Sequence, residues 1–122
     1  MSKVRYDLES RCLVFSKRTL DFCKQLPKTK INEQLVKQLI RSSTSIGANY
    51  IEANDALGKK DFLHRLRISR KEAKETLYWL QLVDYQDEII QAELNQEAKE
   101  LRNILSAIIN KVQSKNKDTT DK

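Results

Sequence analysis

RSSTSIGANYIEANDALGKKDFLHRLRISRKEAKETLYWLQLV, residues 41–83, carries two helical stripes, one on either side of Gly58. Before it, Ser42, Ile46, Asn49 and Ala53 recur at spacings of four and three; after it, Phe62, Leu66, Ser69, Ala73, Thr76, Leu80 and Val83 do the same. That spacing keeps one face of a helix turned toward a partner, whereas a half-buried strand alternates every second residue. The stretch therefore predicts two helices joined by a short turn, with Leu63, Leu77 and Trp79 widening the second stripe.

The pattern extends in both directions. Leu35 and Leu39 continue the stripe of helix two upstream, with Val36, Ile40 and Tyr50 beside it, Thr29 as its N-cap and Gly58 as its stop. Helix one shows Leu8, Cys12, Phe15, Thr19, Phe22 and Leu26, with Asp7 as N-cap and Pro27 just past the end. Helix four shows Leu94, Ala98, Leu101, Leu105, Ile108 and Val112, flanked by Ile104 and Ile109, before SKNKDTTDK loses all periodicity. The expected helices span about 7–26, 30–57, 59–85 and 91–113, within one domain over 1–114, and residues 115–122 form a disordered polar tail. Short connections force neighbours to run antiparallel, so the reading is all-α: an antiparallel up-down-up-down four-helix bundle.

Composition agrees. The 122 residues fit one core, and two glycines and one proline suit long helices rather than a sandwich or barrel. No apolar run approaches the roughly 20 residues needed to span a bilayer, and MSKVRYDLES lacks the hydrophobic segment of a signal peptide. A cytoplasmic protein with no membrane partner is expected. Cys12 and Cys23 stand about 16 Å apart along one helix, too far for a disulfide, so both are expected as free thiols.

The net charge of +6 is unevenly placed: residues 1–30 carry +5, 31–58 −1, 59–75 +4, 76–100 −5 and the remainder +3. Lys60, His64, Arg67, Lys71 and Lys74 again stand four and three apart, on a line opposite the Phe62-to-Leu80 stripe, and Tyr78 continues it. Such an outward ridge offers spaced cations to phosphates and an aromatic face to a base; a merely solvated surface is the ordinary alternative. Antiparallel packing would gather Asp84, Asp87, Glu88 and Glu93 at one tip. The same polarity could instead pair a basic flank with Glu93, Glu97 and Glu100 of a neighbouring subunit.

Catalytic machinery is not evident. Ser42, Ser43, Thr44, Ser45, Gly47 and Ala48 thin the middle of helix two, which admits a close partner helix. A serine nucleophile would need a base beside it, and His64, the sole histidine, lies on another helix. Arg41 shares a face with Glu52, and Glu72 and Glu75 flank the inward stripe of helix three, which suits carboxylate–guanidinium pairs between helices or subunits. No glycine-rich loop or metal-spaced Cys/His set is present, so no enzyme, cofactor or metal site is expected.

RSSTSIGANYIEA followed by KKDFLHRLRISRKEAKETLYWL resembles the two signature helices of the 23S ribosomal RNA intervening-sequence protein family, also called four-helix-bundle proteins. FSKRTLDFC and ELRNIL resemble it too, so the likeness runs from about Phe15 to Val112. The family in turn resembles the accessory protein of diversity-generating retroelements, a basic pentameric bundle that binds nucleic acid together with a reverse transcriptase. By that resemblance a homopentamer and a contact with RNA, ribosome-associated or other nucleic acid are implied. Two positions depart from the family pattern: many relatives carry a charge at Leu77 and a smaller aliphatic at Tyr50. The favoured function is nucleic-acid binding by a homo-oligomer through the ridge; the alternative is a homo-oligomeric scaffold for another protein.

Overall fold

Thr29 shows how a helix start is written into this chain. Its hydroxyl accepts from the Asn32 backbone N–H at 3.1 Å, satisfying one of the donors that a helix N-terminus leaves unpaired. The computed structural model describes residues 3–120, with side chains over 7–115. It contains α1 (Lys3–Gln25), α2 (Lys30–Asn54), α3 (Lys59–Leu82) and α4 (Glu88–Thr120), and no strand among the described residues.

The contacts between helices fix their directions. Between α1 and α2, Asn54 donates to Glu9 and Ser16 to the Ser43 carbonyl. Between α2 and α3, Ser42 meets Thr76 and the Ile46 carbonyl accepts from Ser69, while Asn32 meets Asp84 just past the end of α3. Between α3 and α4, Gln91 donates to the Leu80 carbonyl and Arg70 reaches Ser106. Between α1 and α4, Arg18 meets Glu93 and Arg11 meets Glu97. In every pair residue numbers rise on one helix as they fall on the other, and each helix packs on two neighbours, closing the expected all-α up-down-up-down bundle.

The four stripes form the interior. Leu8, Cys12, Phe15, Thr19, Phe22 and Leu26 are all buried, as are Leu39, Ile46, Leu66, Ala73, Leu80, Leu94, Leu101 and Leu105. At some places the buried residue is the neighbour of the expected one. Tyr50 is buried where Asn49 is only half-buried, and Ile109 where Ile108 is only half-buried. An ideal helix has 3.6 residues per turn, so a stripe counted at 3.5 drifts by about 20° per heptad until the adjacent position takes the inward place. Leu77 and Tyr50 both lie in this intramolecular core.

The thin middle of α2 does what its small residues allow. A Cβ added at Gly47 would stand 3.0 Å from the Cys12 Cβ, so α1 passes close over this glycine. Cys12 and Cys23 are free thiols, and burial pushes Cys12 up to about 12 and Cys23 up to about 11.

Several boundaries differ from expectation. α1 begins at Lys3 rather than at an Asp7 cap, since nothing in residues 3–6 interrupts a helix. α2 ends at Asn54, where the Asp55 N–H turns back to the Ala53 and Glu52 carbonyls, so Gly58 is not its stop but the N-cap position of α3. α3 stops at Leu82, three residues short of the expected end, and α4 starts at Glu88 behind an Asp87 carboxylate that accepts from the Ile90 N–H. The backbone of α4 continues to Thr120 where a disordered tail was expected from 115, because lost hydrophobic periodicity alone does not end a helix that meets no Gly or Pro. Residues 121 and 122 of that tail lie outside the described residues.

Candidate nucleic-acid interface

α3 presents two chemically opposite flanks. On the flank toward α4 lie Lys60, His64, Arg67, Lys71, Lys74 and Tyr78, all exposed, and none of the five basic side chains is engaged in an ion pair among the described residues. Arg70, half-buried between Arg67 and Lys74 in this row, reaches the Ser106 hydroxyl of α4 and ties the flank to that helix. Tyr78 is 59% exposed, with its ring edge-on to Trp79 at 5.2 Å between centroids.

The flank toward α2 holds the acids. Glu72 and Glu75 both face Arg41 of α2, at 3.5 and 3.2 Å. Burial, reinforced by neighbouring Glu75, raises the Glu72 carboxyl above its ordinary range, and Arg41 offsets this only in part. The expected Arg41–Glu72/Glu75 contacts are therefore made, within one chain. Glu52 does not join them: it is exposed and makes no ion pair among the described residues, because three helical turns separate it from Arg41 along α2.

The acids of α4 are turned away as well. Arg11 of α1 holds Glu97 at 2.7 Å and Glu100 at 3.2 Å, and Arg18 holds Glu93. The paired carboxylate of Glu97 holds the Arg11 proton more tightly than usual. These three glutamates were candidates for a neighbouring subunit, but their partners sit on the same chain's α1. The reason is spacing: positions 93, 97 and 100 fall on the α1 side of α4, where Arg11 and Arg18 arrive one above the other.

The opposite flank of α4 carries Lys99, Arg102 and Ser106, again three and four apart. Ser106 places this row beside α3 through its contact with Arg70. Lys99 is exposed and Arg102 half-exposed. Helix axes in such packing lie about 8–10 Å apart, within about one Debye length at physiological salt, so the two rows act on a ligand together. Lys99 and Arg102 are hidden when charge is summed by segment, Lys99 within the acidic residues 76–100 and Arg102 within the basic remainder. Separating the faces of α4 by helical phase would have found them.

The hydroxyls of α2 are committed to structure. Ser42 and Ser43 donate to the Leu39 and Ile40 carbonyls, Thr44 to Ile40 and Ser45 to Arg41, while Thr76 donates to the Ser42 oxygen. His64 stands on the outer face of α3, far in phase from these residues. Among the described residues no group of three His, Cys, Asp or Glu side chains is arranged to hold a metal ion, and no helix is long and apolar enough to cross a membrane.

Comparison with known proteins bears on this architecture. A solved structure of a protein of unknown function from the S23 ribosomal protein family of Bacteroides thetaiotaomicron is 37% identical. It covers 84% of this chain and 97% of its own, with a TM-score of 0.73. No curated protein matches. The family described as 23S rRNA-intervening sequence protein matches residues 6–111, from the first turns of α1 into the last third of α4. With the match spanning all four helices, this chain belongs to the 23S rRNA-intervening sequence protein family.

Proposed function

We propose that this protein binds nucleic acid, RNA above all, through the joint face of α3 and α4, and that it does so as a homo-oligomer. One observation carries the reading: the glutamates in the bodies of α3 and α4 are engaged by Arg41, Arg11 and Arg18 on the far flanks, while Lys60, His64, Arg67, Lys71, Lys74, Lys99 and Arg102 are left without ion pairs on the shared one. A surface that has shed its own carboxylates attracts polyanions and gains affinity by releasing their condensed counterions. Membership of a family named for ribosomal RNA insertions agrees with RNA as the ligand, and likeness to the pentameric accessory protein of diversity-generating retroelements suggests a pentamer.

The test replaces Arg67, Lys71 and Lys74 with glutamate. The expected result is loss of RNA retention on a native gel with the mass by light scattering unchanged. A ring that falls apart would make the ridge a subunit contact instead.

A second reading, an oligomeric scaffold without nucleic acid, draws on Leu13 and Ile51, each about half exposed on the outer side of the α1–α2 seam, away from the basic face. Light scattering of purified protein before and after nuclease treatment separates the two, since only the first releases absorbing nucleotides.

A further inference from the structure

We infer that the nucleic acid taken by the α3–α4 face is single-stranded, its phosphates following the two cation rows and one base stacking on Tyr78 where the rows end. The inference rests on the reading just given and adds the class of ligand. From Lys60 to Tyr78 the ridge is about 27 Å long at the helical rise of about 1.5 Å per residue, a length within the several-nucleotide sites of single-strand binders.

Tyr78 is the aromatic member of the row, one turn beyond Lys74. Its ring is exposed and makes an edge-to-face contact with Trp79. Past it, the connection from α3 to α4 and the first residue of α4 expose Asp84, Asp87 and Glu88. Carboxylates there repel a continuing phosphate backbone, so the track changes from charge to aromatic surface at this residue. A duplex keeps the faces of its bases stacked internally and offers Tyr78 nothing, and a rod of paired strands laid along the ridge would drive phosphates onto the acidic tip. An unpaired strand avoids both by stopping with a splayed base on the ring.

The probes are a fluorescein-labelled oligouridine of about a dozen nucleotides, within the range of such sites, and a blunt RNA duplex of the same length, titrated by anisotropy. The protein is used whole, as wild type, Tyr78→Ala and Tyr78→Trp. The wild type should prefer the single strand. Tyr78→Ala should weaken single-strand binding by about fivefold or more, the loss of one stacked base. It should leave duplex affinity, the salt slope and the oligomer mass unchanged, and Tyr78→Trp should restore binding.

Duplex bound as tightly as the single strand, or Tyr78→Ala acting on neither probe or on both alike, would overturn the inference. So would a change of mass in Tyr78→Ala, which would place the ring in a subunit contact. In each of these cases binding that is still lost on reversing Arg67, Lys71 and Lys74 leaves the broader reading standing. Absence of binding to either probe would end both.

Discussion

Arg41 spans two carboxylates with one guanidinium, and Glu72 is the less comfortable of the pair because it is buried with one oxygen lacking a hydrogen bond. Its proton is held more tightly in the folded state than in the unfolded chain. Its contribution therefore favours folding at low pH and is lost as pH rises through the raised folded value. Arg41→Ala should cost about 1–3 kcal/mol at neutral pH, the penalty of leaving a buried charge without its partner. Relative to wild type at each pH, the loss should shrink from neutral to acid pH, as the raised Glu72 carboxyl takes up its proton. Urea unfolding at both pH values checks this, and a loss independent of pH would show that Arg41 acts by packing alone. At the same scale, Asn32 is buried with its amide donating to the Pro27 and Asp84 carbonyls and its oxygen accepting from the Asp84 N–H at 3.0 Å. Asn32→Leu leaves those groups unpaired and should cost about 1–3 kcal/mol, read as a lower urea midpoint at unchanged slope.

Among the elements, α2 depends on closeness and α3 on sidedness. Gly47 in mid-helix is disfavoured by about 1 kcal/mol against alanine, yet an alanine methyl there would stand only 3.0 Å from the Cys12 Cβ. That Cβ is fixed by its own backbone. Gly47→Ala should therefore destabilise, overpacking at about 1–3 kcal/mol outweighing the propensity gain, and the penalty should shrink in a Cys12→Gly background. An additive double mutant would show that α1 yields instead. The four helices were legible because each stripe repeats often enough to survive drift, and Thr29 was legible because a capping threonine acts through its own backbone neighbours. The Gly58 stop was not, since nothing local distinguishes a glycine that ends one helix from one that opens the next. Arg11 and Arg18 were not legible as partners of Glu97 and Glu93 because that contact is set by the closing of α1 on α4, the pair most distant in sequence. The ridge itself was legible from its spacing on a single helix. Its continuation on Lys99 and Arg102 required knowing which flank of α4 meets α3.

For the whole molecule, the net charge of +6 matters less than how it is sorted. Three arginines draw carboxylates to the α1 and α2 sides, and Lys60, His64, Arg67, Lys71, Lys74, Lys99 and Arg102 lie on the α3–α4 side without ion pairs among the described residues. A protein that attracted nucleic acid by net charge alone would be indifferent to which lysines and arginines were removed. The decisive measurement compares two variants that lose the same charge: Arg67, Lys71 and Lys74 changed to glutamine on the basic face, and the exposed Lys17, Lys28 and Lys37 changed to glutamine on α1, α2 and the turn between them. For each, the logarithm of the association constant with single-stranded RNA is plotted against the logarithm of salt concentration, where the slope is about −0.7 per phosphate neutralised. The first variant should lose roughly two units of slope with most of its affinity, and the second should keep the wild-type slope. Equal losses in both variants would contradict this.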